Sequence, residues 1–323
     1  YQDDGTKVEI PGLDPATPQQ VIELEPFTDD DMASQVDAIL SGAADPTFIS
    51  YLSEKTEGNP FFIEQLVYHL LELNVLEVHN DVWRMREAQL NEVPTTIGAV
   101  LIARLDRLTQ EVKQVVQTAA VLGQEFEINV LSAMLRNDPN VSSKVKEAEE
   151  QSIWTAITRI LYLFKHALMR DAAYDMQLRA RLRELHALAA TAILDVYTDD
   201  LPSHYGDLAY HFSRAGDLDH EREYSLLAGR AAAEGATADA ANFLARAYEL
   251  TPEDNLQERY EILELREKIY DLQAERVSQR EVIDAMLSIS EQLNDQHKYG
   301  RSLVRLGSLY ETIGEFEKVY EFL

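Results

Sequence analysis

Apolar residues recur at intervals of three and four along most of this chain, the spacing that puts them on one face of a helix. Met32, Val36, Ile39 and Leu40 follow this rule after Thr28 and the acidic triplet Asp29-Asp30-Asp31, a capped first turn that complements the positive end of a helix dipole. Ser41-Gly42 closes that helix. Phe48, Ile49 and Leu52 mark a second helix, which runs up to Gly58. Phe62, Leu66, Val67, Leu70, Leu71 and Leu73 mark a third, opened by Asn59-Pro60, where proline has no helical amide bond to lose. Alternation takes over from Val75 to Met85, and Leu76, Val78, Val82 and Trp83 around Asn80-Asp81 predict a β-hairpin. Val21 to Leu24 predicts a short strand.

Beyond Pro94 the helical spacing returns three times, at Ile97, Val100, Leu101 and Leu105, at Val112, Val115, Val116 and Ala119, and at Val130, Leu131, Met134 and Leu135. Ile153 to Phe164, rich in β-branched and aromatic residues, predicts a second hairpin, although no Gly, Pro, Asn or Asp is there to turn on. Three helices and a two-stranded wing make a winged-helix domain. From His166 onward nearly everything reads as helix, broken at Thr198–Pro202, Gly216-Asp217, Thr251-Pro252 and Asn294-Asp295, which predicts paired helices stacked into an α-solenoid. Leu303, Leu306, Gly307, Tyr310, Gly314, Phe316, Val319 and Leu323 fall where a tetratricopeptide repeat places its packing residues, with Gly307 at a close helix crossing. That repeat has no closing turn before Leu323, so the chain reads as a piece of a longer protein. The predicted class is mainly α with minor β-hairpins.

Charge refines this plan. The 323 residues hold 29 Lys and Arg against 57 Asp and Glu, a net −28. The excess sits at the two ends, with −11 over residues 1–57 and −14 over 191–323, while 91–190 is neutral. Inside the neutral stretch Arg159, Lys165, Arg170, Arg179, Arg181 and Arg183 face only Asp171 and Asp175, which reads either as a solvated helix face or as a site for phosphate or an acidic partner. No cysteine is present, which excludes disulfides, thiolate zinc sites and cysteine nucleophiles. No apolar run reaches the roughly 18 residues of a membrane span and no leader pattern opens the chain, so a cytoplasmic protein without membrane contact is expected. The eight histidines form no H-E-x-x-H; His204 and His211 lie seven apart without a carboxylate at ligand spacing, so no metal site is expected, and His211 is assigned to the solenoid core.

Four blocks carry a family resemblance. Glu57-Gly58-Asn59-Pro60-Phe61-Phe62-Ile63-Glu64-Gln65-Leu66 resembles the GNPFF signature in the helical lid of bacterial STAND ATPases, relatives of the AAA+ class. Pro94-Thr95-Thr96-Ile97 through Ala103-Arg104-Leu105-Asp106-Arg107-Leu108 resembles the start of that family's winged helix, as does Ala119-Ala120-Val121-Leu122-Gly123-Gln124-Glu125-Phe126. Phe164-Lys165-His166-Ala167-Leu168-Met169-Arg170-Asp171-Ala172-Ala173-Tyr174 resembles its closing FRHALIRDALY segment. The family includes MalT-like transcription regulators and cyclase-associated regulators.

The resemblance implies a plan: 1–92 as the end of the ATPase core and helical lid, 93–175 as winged helix, 176–205 as a connecting helix, and 206–323 as a truncated tetratricopeptide-like solenoid. It implies ATP or ADP held mainly by an upstream P-loop domain of the same parent chain, with a protein or small-molecule effector on the repeats. By resemblance Pro60, supported by Asn59, packs on the adenine; the plain alternative is that Pro60 only starts a helix. By resemblance too, His166 matches the histidine of an MHD motif that touches the β-phosphate of ADP, with Lys165 and Arg170 adding charge; the alternative is a buried histidine bonded to a carbonyl or to Asp171. The chain has no G-x-x-x-x-G-K-[ST] and no strand with paired acids for Mg²⁺, so by itself it is expected neither to hold ATP tightly nor to hydrolyse it. Two other readings compete. One is a protein-interaction scaffold. The other is a DNA-binding regulator with Ile128–Leu135 as recognition helix, disfavoured because Arg136 stands alone beyond Glu125 and Glu127.

Overall fold

The computed structural model describes residues 25–86, 94–136, 138–233, 235 and 238–319. The strand expected at Val21–Leu24 and the end of the last repeat lie outside them. The chain divides into two compact units, Tyr1–Ala103 and Arg104–Leu323.

The first unit is built on three helices and a small sheet. α1 (Asp29–Leu40) opens with a capping box in which Thr28 accepts from the Asp31 amide and Asp31 accepts from the Thr28 amide. The Thr28 hydroxyl, which also donates to the Asp31 carboxylate at 2.6 Å, and then the Thr28 amide hold that carboxyl below the usual range. β1 (Ala43–Ala44) follows, then α2 (Pro46–Thr56), capped by Asp45, and α3 (Pro60–Glu72), capped by Asn59. β2 (Leu76–His79) and β3 (Val82–Met85) pair antiparallel with His79 opposite Val82. Asn80 and Asp81 both adopt left-handed φ, at 51° and 62°, as a two-residue hairpin turn requires. The strand pair β1–β3, which periodicity does not reveal, is parallel and completes the order β1-β3-β2. Met32, Val36, Phe48, Leu52, Ile63, Leu66 and Leu70 close the core between these elements. α4 (Ile97–Arg107) places Val100 in the same cluster.

The second unit begins with α5 (Gln110–Leu122), β4 (Glu125–Glu127), α6 (Ile128–Met134), α7 (Val141–Glu150), β5 (Trp154–Ala156) and β6 (Leu161–Phe164), with sheet order β4-β6-β5. Trp154 is fully buried, meets Phe126 and Phe164 edge-on, and donates its indole N–H to the Val145 carbonyl at 2.9 Å, fastening the sheet to α7. The second hairpin does turn without Gly, Pro, Asn or Asp. The Thr158 hydroxyl supplies the turn by accepting from the amides of Ile160 and Leu161 at 3.3 and 3.0 Å. Replacing Thr158 with valine should cost about 0.5–1 kcal/mol and speed amide exchange at those two positions; unchanged exchange would place the turn's support elsewhere.

α8 (Ala167–Asp175) leads into α9 (Arg179–Val196), the long helix that joins the two parts of this unit. Its Leu185, Ala189 and Ile193 share one cluster with Val121, Val130 and Met134 on one side and with Leu208 and Phe212 on the other. The latter two lie on α10 (Tyr205–Ala215), after which come α11 (Leu218–Ala233), α12 (Ala238–Leu250), α13 (Leu256–Leu272), α14 (Arg276–Gln292), α15 (Gln296–Thr312) and α16 (Phe316–Val319). The fold is thus mainly α and ends in a solenoid of helical hairpins. α13 to α16 begin at 256, 276, 296 and 316, one helix every twenty residues. Their connections repeat one device: a left-handed residue followed by an amide that reaches back to the fifth carbonyl before it, as in Glu275 to Tyr270, Asp295 to Ser290 and Glu315 to Tyr310. Among the described residues Gly307 does not mark a close helix crossing. A Cβ there would meet nothing within 4 Å among the described residues, whereas one at Gly229 would fall 2.6 Å from Leu244 Cγ. The tight crossing is therefore between α11 and α12.

Candidate functional site

In the first unit the chain leaves α2 through Glu57 and Gly58, both with left-handed φ, and enters α3 at Asn59-Pro60. The Asn59 side chain accepts from the Phe62 amide at 3.0 Å, and the Pro60 carbonyl accepts from Gln35 Nε2 at 2.9 Å. Behind this turn the Phe27 amide donates to the Gly58 carbonyl at 2.9 Å, which brings the segment before α1 alongside. Together they frame a cleft of about 690 Å³ with Pro26, Phe27, Pro60 and Phe62 as apolar walls, Lys55 as its cation and Glu25 and Glu57 as its acids. Pro60 is exposed within it. The two readings of this proline are therefore compatible, since it starts α3 and also offers its ring to the cleft.

His166 lies in the second unit, half-buried, at the residue before α8. Its ring does not cap that helix, while its carbonyl accepts from the Met169 amide at 3.0 Å. Lys165 beside it is exposed. Arg170 bonds the Asp171 carboxylate at 2.9 Å and faces the Tyr174 ring at 6.0 Å. Asn59 and Pro60 thus gather at one cleft of the first unit, whereas Lys165, His166 and Arg170 belong to the second.

A cluster that sequence reasoning missed stands where α8, α9 and α10 meet. His186 Nε2 lies 2.9 Å from the Tyr174 hydroxyl, and His186 Nδ1 lies 2.9 Å from His211 Nδ1. Both imidazoles are almost wholly buried, at 1% and 3% exposure. Burial, reinforced by Arg214, lowers the pKa of His186 to about 4, and burial together with His186 lowers that of His211 to about 3. The pair is therefore neutral near pH 7, one ring donating from Nδ1 and the other accepting. Residue types alone could not reveal it, because the partners are 12 and 25 residues apart on three helices. The expected place of His211 in the core holds. His204 instead stacks on Tyr197 at 3.7 Å and pairs with Asp207 at 3.1 Å, so a carboxylate does stand three residues on, contrary to the expectation from sequence. Burial, and then the bond to Glu127, raise the Tyr197 phenol well above its usual range.

No family model matches the chain. An uncharacterised protein of Rhizobium meliloti (strain 1021) is 26% identical over 220 residues, 64% of this chain but 20% of that protein. The crystal structure of a signal transduction ATPase with numerous domains (STAND), carrying a tetratricopeptide repeat sensor, from Pyrococcus horikoshii is similar over 92% of this chain and 52% of that one, at 12% identity and a TM-score of 0.37. The chain thus spans a fifth of the first protein and about half of the second. At these levels of similarity no residue's role transfers to this chain.

Proposed function

We propose that this chain is the regulatory and sensory portion of a signal-transducing STAND ATPase, in which a lid and a winged helix close over an adenine nucleotide bound mainly by a P-loop domain of the same polypeptide. The observation that carries this reading is the exposed Pro60 in a cleft of about 690 Å³ that Phe27 and Lys55 also line. A purine has two apolar faces and a polar rim, and apolar walls with few polar groups suit such a ring. Pro60 is the residue of this chain that would contact the base, and Asn59 fixes its position by capping α3. By the resemblance, His166 is the residue that would donate to a phosphate oxygen, as an imidazole N–H can. Bound ADP would favour the closed state by making contacts that ATP does not, so exchange shifts the equilibrium, with an effector on the repeats biasing it. The chain itself supplies binding groups and no hydrolytic machinery.

In the full-length protein, Pro60→Ala and His166→Leu should each release a fluorescent ADP analogue about tenfold faster, a loss of roughly 1.4 kcal/mol per site. Retention unchanged in both variants would overturn the reading and leave Pro60 as a helix starter and His166 as a packing residue.

The DNA-binding alternative fares worse against the structure. The helix, strand, helix, helix, hairpin order supports a winged helix, but its third helix is α7 and not Ile128–Leu135. On α7, Lys144 is held by Asp138 and Glu111 at 2.8 and 2.9 Å, and Lys146 lies 3.7 Å from Glu150. Lysines neutralised in this way leave little field for a phosphate backbone.

A further inference from the structure

Between α8 and α9 the chain turns through Met176-Gln177-Leu178 and rests on α5, Gln177 Nε2 donating to the Gln117 carbonyl at 3.0 Å. The turn leaves Leu178 80% exposed. The next residues carry Arg179, Arg181 and Arg183, all exposed. Arg181 reaches Glu184 at 3.0 Å, but among the described residues no carboxylate lies within ion-pair distance of Arg179 or Arg183. The cationic cluster seen in the sequence is therefore not uniform. Arg170 is held by Asp171 and Arg181 by Glu184, whereas Arg159 in the turn of the β5–β6 hairpin, Lys165, Arg179 and Arg183 have no carboxylate at ion-pair distance among the described residues, and two of these four stand together at this elbow. Beside it, between the elbow and α5, opens a cleft of about 220 Å³ with Met176, Leu178 and Leu185 as apolar lining and Gln114, Gln177 and Arg181 as polar lining, so Arg179 and Arg183 stand outside the cleft, on the elbow's exposed surface. No acidic residue lines it.

We propose that this elbow is a docking surface for an acidic segment of a partner protein that also carries a bulky apolar side chain. Its carboxylates pair with Arg179 and Arg183, and its apolar residue lies against Leu178 and Met176 at the mouth of the cleft. Three features select this occupant. The free charge is positive on a chain of net −28, so complementarity is local and steers an anionic group to this spot. Leucine beside arginine is an anchor with a charged rim, the arrangement that binds protein side chains. Asp175 and Glu184 flank the three arginines in sequence, so the cationic stretch is short and suits one or two carboxylates better than a continuous phosphate backbone. The surface belongs wholly to the second unit and does not depend on the nucleotide reading.

The test uses the 323-residue chain and a labelled synthetic peptide of alternating Glu and Leu, with a matched Lys and Leu peptide and a short DNA duplex as rivals, read by fluorescence anisotropy. The acidic peptide should bind, and should weaken as salt is raised. Arg179→Glu with Arg183→Glu should weaken it about tenfold or more, and Leu178→Ser several-fold. Lys146→Glu, at a side chain 75% exposed on α7, should leave it unchanged. Circular dichroism and urea midpoints establish that each variant is folded, as expected for solvent-exposed positions. The proposal fails if the acidic peptide does not bind, if the arginine reversals bind it like the parent chain, or if the basic peptide or the duplex binds more tightly.

Discussion

Replacing Gly58 with alanine is expected to destabilise the first unit by about 3 kcal/mol or more, the largest effect of any small substitution around the cleft. Two costs combine. Gly58 has φ of 75°, a region where an L-residue costs roughly 1–2 kcal/mol. The new Cβ would also lie 2.7 Å from the Phe27 carbonyl oxygen, 2.9 Å from the Phe27 nitrogen and 2.9 Å from Pro26 Cβ. Two of these atoms are backbone and cannot swing aside as a side-chain tip can. Relief requires the segment before α1 to move away, which breaks the Phe27 N–H bond to the Gly58 carbonyl and removes one wall of the cleft. With fluorotryptophan in place of both tryptophans, fluorine NMR follows Trp83 of this unit through a urea titration. An unchanged midpoint for Trp83 would mean that the segment yields without cost and that Gly58 does not fix that wall of the cleft.

This glycine illustrates what the sequence disclosed and what it withheld. Glu57-Gly58-Asn59-Pro60 read correctly as a helix end and a helix start, because αL preference, capping and the missing proline amide are local properties. That Phe27 would close over the same glycine is not local. The contact joins residues 31 apart, and no periodicity encodes it. The solenoid shows the same division. The breaks at Gly216-Asp217 and Asn294-Asp295 carried turn residues and were legible. The break after Leu272 was not, since Gln273-Ala274-Glu275 has no Gly, Pro or Asn. Ala274 nonetheless adopts φ of 58°, and the Glu275 amide recovers part of that cost by bonding the Tyr270 carbonyl at 2.9 Å. Tertiary packing of α13 on α14 overrides the local preference there.

α7 escaped notice for a different reason. Only Val141, Val145 and Ala148 are buried in its ten residues, and the rest is Ser, Lys and Glu, so its apolar stripe is too thin to stand out. The sequence pattern therefore counts α4, α5 and α6 as the three helices before the second hairpin and passes over α7. At Gly307 no described residue comes close enough to need a glycine. For the candidate site, Pro60 and Asn59 could be found from one motif. His186 could not, because its role depends on Tyr174 and His211, which only the packing of α8, α9 and α10 brings within reach.

That packing leads to the second large effect, a loss of stability in mild acid. In the unfolded chain His186 and His211 take up protons near pH 6.5; in the folded chain they do so at about 4 and about 3. The folded values are depressed, so stability is fully present above pH 6.5 and is lost as pH falls from there toward the folded values. Each histidine then contributes a slope of up to about 1.4 kcal/mol per pH unit, and the pair several kcal/mol between pH 6.5 and 4.5. Protonation would also set two Nδ1–H donors against each other at a 2.9 Å contact and add a cation near Arg214 of α10 and Arg170 of α8, with the Tyr174 and Tyr210 hydroxyls as the neutral neighbours. Aspartates 31, 45, 138 and 295, whose hydrogen bonds hold their carboxyls below 3.8, lose their contribution only at lower pH, so this window isolates the histidines. Urea unfolding followed across that range should show the slope. His186→Gln combined with His211→Asn should be less stable at pH 7.5 yet much flatter toward pH 4.5. A double variant that keeps the full slope would assign the acid lability to other groups, and Cε1 proton resonances titrating near 6.5 in the folded chain would show that the pair is not held neutral.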